Sequence, residues 1–294
     1  MLNKAKTWAQ MIKIEHTLFA LPFTLSAALL AIYDLQVFQD QAFKPISFLW
    51  IFICFLGVRS AGMTLNRLID AKIDAKNPRT KDREIPKGKI SKTQAIFFTG
   101  ISLALLIFGA FQLPKLCQIL LPIPIIWVII YPYLKRFTYF CHFFLGSTLG
   151  GAALGGWIAI TGTIENLAPI YFALAVTTWV SGFDIIYACQ DYEHDIKNGI
   201  HSIPAKFGIK AALQISRFLH FLSPLFLYLT GRELMLGIIY KTGVMLVIAA
   251  LFYEQKLVQD AIDKDDCKKL NKAFFTVNSW ISILILLFVV LEVF

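Results

Sequence analysis

Asn66, Asp70 and Asp74 stand at i, i+4 and i+8. On a helix this spacing puts three oxygen-bearing side chains on one face, about 6 Å apart per step. Two carboxylates and an amide along one stripe suit a hard divalent cation such as Mg2+. That ion keeps waters or substrate phosphates as its remaining ligands. A solvated helix end would carry the same residues. Asn77-Pro78-Arg79-Thr80 follows, where Pro78 is expected to end or redirect the helix. Arg79 and Arg83 are near enough in sequence to offer guanidinium forks to phosphate oxygens. Lys87 and Lys89 read as topological charge.

A second acidic stretch, DIIYACQDYEHDIKNGIHSIPAKFG, runs from Asp184 to Gly208. Asp184, Asp191 and Asp195 are separated by seven and four residues, which again predicts one helical face, with Tyr187 one turn beyond Asp184. Glu193 and His194 project elsewhere. Asp184 falls inside an apolar run, where a carboxylate needs a counter-charge, an ion, a wet cavity or an interhelical hydrogen bond. Gly199 and Pro204 loosen the chain, and Ser202 and Lys206 return polar groups to the same region. Lys206 fits plain topological charge equally well. Asp191 and Asp195 match Asp70 and Asp74 at an offset of 121 residues, although the same offset carries Asn66 onto Tyr187. Two facing carboxylate stripes can hold ions with a diphosphate between them, and those ions would stabilise its departure. A lipid diphosphate would place its head at the membrane interface and its tail among helices.

The elements that must position these residues are membrane spans. The chain has 294 residues, 57% of them hydrophobic, and only 16% charged, against about 25% in ordinary soluble domains. Nine apolar spans are expected near 17–34, 46–66, 93–112, 118–134, 141–161, 168–188, 211–230, 234–253 and 273–292. The class is therefore an all-α polytopic membrane protein. Basic residues are distributed unevenly. The segments 1–16, 67–92, 135–140, 189–210 and 254–272 hold three, nine, two, three and five Lys or Arg. Lys44, Lys115 and Arg232 are the basic residues of the other side. The positive-inside rule then puts the N-terminus and the loops 67–92 and 189–210 in the cytoplasm, and Phe294 outside.

The net charge of +9 is thus a topological signal and not a nucleic-acid footprint. The five cysteines form no CxxC pair and read as neither a disulfide framework nor a zinc site. No cleavable signal peptide is evident. All the elaborate polar sequence lies on one side, which disfavours an ion-coupled transporter, whose substrate must reach both.

Taken together, NRLIDAKID at Asn66–Asp74, NPRTKDREIP at Asn77–Pro86, YPYLKR at Tyr131–Arg136 and the Asp184–Gly208 stretch resemble the UbiA superfamily of intramembrane prenyltransferases. The resemblance extends over nearly the whole chain. It implies a single domain over 1–294, a nine-helix transmembrane bundle around a central cavity capped by cytoplasmic loops. It implies Mg2+ as cofactor, held by Asn66, Asp70 and Asp74 in one motif and by Asp191 and Asp195 in the other. Arg136 resembles the residue linked to the aromatic acid in quinone-pathway members, with Lys135 and Tyr131 nearby. Without the resemblance, Lys135-Arg136 is equally a topological stop.

The first span departs from the ubiquinone-pathway pattern. It begins KIEHTLFALPF from Lys13, with Glu15, His16 and Thr17 where an arginine- and lysine-proline-bearing entry is usual. That entry looks more like a menaquinone (futalosine) subgroup, whose acceptor would be 1,4-dihydroxy-6-naphthoate. His16 either orients the acceptor or anchors the helix at the interface. The implied partners are a polyprenyl diphosphate, a hydroxylated aromatic acid of the 4-hydroxybenzoate type and membrane lipid. No nucleic acid and no obligate protein partner is implied. The expected setting is the bacterial inner membrane with the site facing the cytoplasm. Farnesyl transfer to haem by a related enzyme is the competing reaction.

Overall fold

The computed structural model describes residues 2–13, 17–77, 79–263 and 276–294. Every regular element among them is helical. Lipid offers the backbone no hydrogen-bond partners, so a spanning segment must satisfy its own, as a helix does. Among the described residues eight helical stretches are long and apolar enough to cross a membrane, and a shorter apolar helix, Asn278–Val293, follows them. The protein is a multi-pass membrane protein. The helices divide into two compact units.

The first unit takes residues 1–17 and 44–134. It contains α1 (Leu2–Met11), α3 (Ser47–Ile69), α4 (Ala71–Asp74), α5 (Lys92–Phe111), α6 (Lys115–Leu120) and α7 (Pro122–Leu134). Helices α3 and α5 form its main pair. Lipid tails are as apolar as leucine, so close packing rather than hydrophobicity drives such pairing, and small residues permit it. Gly57 is one such point of close approach. A Cβ there would stand 2.7 Å from the Ser102 carbonyl oxygen and 2.8 Å from the Leu106 nitrogen. Helix α5 starts sharply because Ser91 and Gln94 form a capping box.

The second unit takes residues 18–43 and 135–294. It contains α2 (Thr17–Phe38), α8 (Cys141–Thr161), α9 (Ala168–Ala188), α10 (Tyr192–Asn198), α11 (Ile203–Glu233), α12 (Ile238–Asp263) and α13 (Asn278–Val293). Helix α9 is its axis. Gly146 and Gly150 of α8 lie against the carbonyls of Thr177 and Ala173 on α9. Trp179 of α9 packs at a tilt against Phe23 of α2, ring centroids 4.7 Å apart. Large apolar side chains such as Phe218, Phe221 and Phe252 are exposed, the outward face expected of helices bathed in lipid.

Several element boundaries differ from the sequence expectation. Helix α11 begins at Ile203 rather than 211, because Ser202 caps it and Pro204 sits in its first turn. Gly208 then interrupts it with φ 80°, ψ 160°, a backbone region open essentially to glycine alone. The fourth span is made of two helices that meet at Leu121. Helix α12 runs on to Asp263. Residues 273–275 of the ninth expected span, Pro78, and Glu15 with His16 lie outside the described residues.

Candidate active site

In the first unit, α3 ends at Ile69 and Asp70 leaves helical geometry, with φ −88° and ψ 0°. The hydrogen-bond ladder nevertheless continues through this joint. The Asp70 N–H donates to the Asn66 carbonyl at 3.0 Å, and the Asp74 N–H to the Asp70 carbonyl at 2.8 Å. The i, i+4, i+8 register of the acidic stripe therefore survives, although the helix is broken within it. The stripe is largely withdrawn from solvent: Asp70 is 0% exposed, Asp74 4%, and Asn66 is half-buried.

The basic residues around this stripe sort by what they touch. Arg83 directs Nη1 at both carboxylate oxygens of Asp74, each at 2.8 Å. It is therefore an ion-pair partner of the stripe within the protein. Arg79 is exposed, and its backbone N–H donates to Asn77 Oδ1. Lys87 pairs with the exposed Asp82 at 3.0 Å and holds its carboxyl below the usual range. Thr80 Oγ1 donates to the Asp74 carbonyl and folds the following turn back on the stripe. The buried Arg67 faces Glu84 at 3.9 Å, a pairing that the sequence reading did not single out.

In the second unit, a single 3-10 turn, Cys189–Asp191, separates α9 from α10. The stripe Asp184–Asp191–Asp195 is thus not one uninterrupted α-helix. Asp195 is 7% exposed and accepts a hydrogen bond from Ser202 Oγ at 2.9 Å. Asp191 and Tyr187 are half-buried, Glu193 is exposed, and Lys206 is exposed. Gly199 ends α10 in the left-handed conformation, φ 63°, and turns the chain toward Ser202.

The segment after Gly199 is clasped from a third direction. The His201 N–H donates to the Lys135 carbonyl at 2.7 Å, and the Cys141 thiol lies 3.6 Å from the His201 carbonyl. The stretch containing Lys135 and Arg136 is therefore tied by its backbone to the loop that holds Asp195. Arg136 is exposed, Lys135 half-buried and, in the first unit, Tyr131 half-buried. Asp184 is partnered by His142, with Nδ1 2.7 Å from Oδ2. His142 escaped the sequence reading. A single histidine opening an apolar span, in CHFFLG, was the available signal.

The donor chemistry fits Mg2+. Among the described residues no three His, Cys, Asp or Glu side chains converge as a closed metal cage. Mg2+ ordinarily takes one or two carboxylates and completes its shell with waters and substrate phosphates. Each unit supplies such an acidic pair: Asp70 and Asp74, both buried, in one, and the buried Asp195 with the half-buried Asp191 in the other.

The sequence matches the UbiA prenyltransferase family over residues 19–287. The chain belongs to this family. The UbiA assignment takes in both units and both acidic motifs. A 4-hydroxybenzoate octaprenyltransferase from Vibrio campbellii is 29% identical over 97% of this chain and 96% of its own length. A mitochondrial 4-hydroxybenzoate polyprenyltransferase from Arabidopsis thaliana is 37% identical over 55% of this chain. That match spans only 40% of the plant protein. Among solved structures, a UbiA homologue from Aeropyrum pernix K1 in its apo form superposes with a TM-score of 0.83. It is 28% identical and is matched over 96% of this chain and 99% of its own.

Proposed function

We propose that this UbiA-family chain transfers a polyprenyl group from polyprenyl diphosphate to a hydroxylated aromatic acid of the 4-hydroxybenzoate type, in quinone biosynthesis. The observation that carries the reading is an acidic pair at the end of a membrane helix, found once in each unit of a UbiA-family chain, with Asp70, Asp74 and Asp195 buried and Asp191 half-buried. The names of the Vibrio and Arabidopsis relatives support the aromatic acid as acceptor.

Asn66, Asp70 and Asp74 would hold Mg2+ in one unit, and Asp191 and Asp195 in the other. When bound, Mg2+ neutralises the diphosphate and favours its departure. The side chains do the remaining work. Arg83 fixes the Asp74 carboxylate through two hydrogen bonds, so this ligand is preorganised and no rotamer freedom is lost on binding. Ser202 does the same for Asp195. Arg79 and Lys206, both exposed, would contact the outer phosphate oxygens. Arg136, with Lys135, receives the acceptor's carboxylate; Tyr131 is a further candidate from the same YPYLKR motif.

The C1–O bond of the prenyl diphosphate breaks and the diphosphate leaves with the electron pair. A ring carbon of the acceptor bonds C1 and then loses its proton. Apolar helices keep water from the allylic cation character at C1. The positive charge of loops 67–92 and 189–210 supports the reading that this chemistry runs at the cytoplasmic face of a bacterial inner membrane.

A second acceptor is favoured by one feature, the Glu15-His16-Thr17 entry of the first span, which points to 1,4-dihydroxy-6-naphthoate. Offering each acid separately with one polyprenyl diphosphate and identifying the product by mass decides between them. Prenylated 4-hydroxybenzoate is the expected product. A product from the naphthoate alone would move the protein to the menaquinone branch, and a product from haem alone would overturn the reading.

A further inference from the structure

Asp184 lies outside both proposed metal-binding pairs, yet its partner His142 is itself held from a second side. Its partner His142 sits in the first turn of α8 and is only 3% exposed. The imidazole is held at both nitrogens. The backbone N–H of Ile203 lies 3.3 Å from Nε2. A peptide N–H can only donate, so Nε2 is the accepting nitrogen and the proton sits on Nδ1. Nδ1–H then donates to Asp184 Oδ2 at 2.7 Å. The chain itself thereby selects one histidine tautomer.

This bond occupies Oδ2 and leaves Oδ1 without a hydrogen bond among the described residues, on a side chain that is 20% exposed. Ile203 also follows Ser202, whose hydroxyl holds Asp195. One buried imidazole therefore orients Asp184 and anchors the segment that orients Asp195. A bland interhelical hydrogen bond would need only one end of the ring.

We infer that His142 is a positioning residue for prenyl transfer: it fixes Asp184 so that Oδ1 accepts a hydrogen bond from an O–H donor of the bound reactants. That donor is the acceptor's phenolic hydroxyl or a water on the metal ion. The inference rests on the proposed reaction.

Paired variants separate its parts. In His142→Asn the amide nitrogen takes the place of Nδ1 and keeps the bond to Asp184. In His142→Gln the amide reaches the place of Nε2 and keeps the bond to Ile203. His142→Leu keeps neither. Losing a supporting partner of this kind costs about 10–100-fold in activity, and that loss of kcat/KM is expected for Leu. Asn should recover most of the activity and Gln should not, with all three variants equally thermostable in detergent. A raised KM for the aromatic acid identifies the phenol as donor, and a raised Mg2+ requirement identifies the water. Recovery by Gln rather than Asn, or losses that follow thermostability alone, would overturn the inference.

Wild-type protein without transfer activity would overturn the proposed reaction instead. The tautomer is then read directly from the 15N shifts of His142, assigned by their absence in His142→Asn. A protonated Nδ1 and bare Nε2 are expected, and the reverse would overturn the positioning role whatever the reaction.

Discussion

At the scale of residues, the central feature is burial of acid. Asp70, Asp74 and Asp195 are all less than a tenth exposed, and buried carboxylates persist only when a cation or donor compensates them. Arg83 and Ser202 do this in part. The acids themselves were legible in the sequence, because their spacing alone marks the stripes. Their neighbours were not. Arg83 was read as a phosphate contact, and the structure puts it on Asp74. The two lie nine residues apart, a separation no periodicity reveals. His142 was missed for a related reason: its partners lie 42 and 61 residues away.

Two outcomes follow at this scale. Asp70→Ala and Asp191→Ala should each lower Mg2+-dependent turnover by about 100-fold or more, the size of losing a preorganised charge-stabilising group. Membrane insertion and yield should not change. Diphosphate release by purified variants measures this. Arg136→Ala should raise KM for the aromatic acid by about tenfold, as for one hydrogen bond to a charged group, and leave binding of the polyprenyl diphosphate unaltered. Steady-state kinetics with each substrate varied in turn checks it.

At the scale of elements, the spans were readable from hydropathy but their ends were not. Gly199 and Pro204 predict a loosened chain and a loop over 189–210. Ser202 instead caps a helix there, and Gly208 absorbs the break. Likewise the first stripe passes a helix break at Asp70 and keeps its register through two backbone hydrogen bonds. Such joints are local hydrogen-bond choices that composition does not encode. Close packing was equally invisible, since nothing in IFICFLGVRS marks Gly57 as the place where α3 meets the backbone of α5. Gly57→Val should cost about 1–3 kcal/mol, the usual range for an overpacked site. It should lower the thermal midpoint in detergent, with the lost activity following the lost folded fraction.

At the scale of the whole molecule, family and class were legible early, because the two acidic motifs and the alternation of charge with apolar runs extend along the entire chain. UbiA membership over 19–287 bears this out. Sidedness remains a consequence of charge and is open to a direct check. In a cysteine-free background, Lys44→Cys should react with an impermeant thiol reagent in intact cells. Lys87→Cys should react only after permeabilisation. Both positions are exposed, so the difference reports orientation rather than burial.

Prenyl transfer is tested most directly by diphosphate release from the purified protein in lipid, given a polyprenyl diphosphate, with Mg2+ and 4-hydroxybenzoate each supplied or withheld. Release that requires both, matched by an equal amount of prenylated acid, is the predicted result. Release that ignores the acid, or turnover that survives removal of Mg2+ by chelation, would contradict it.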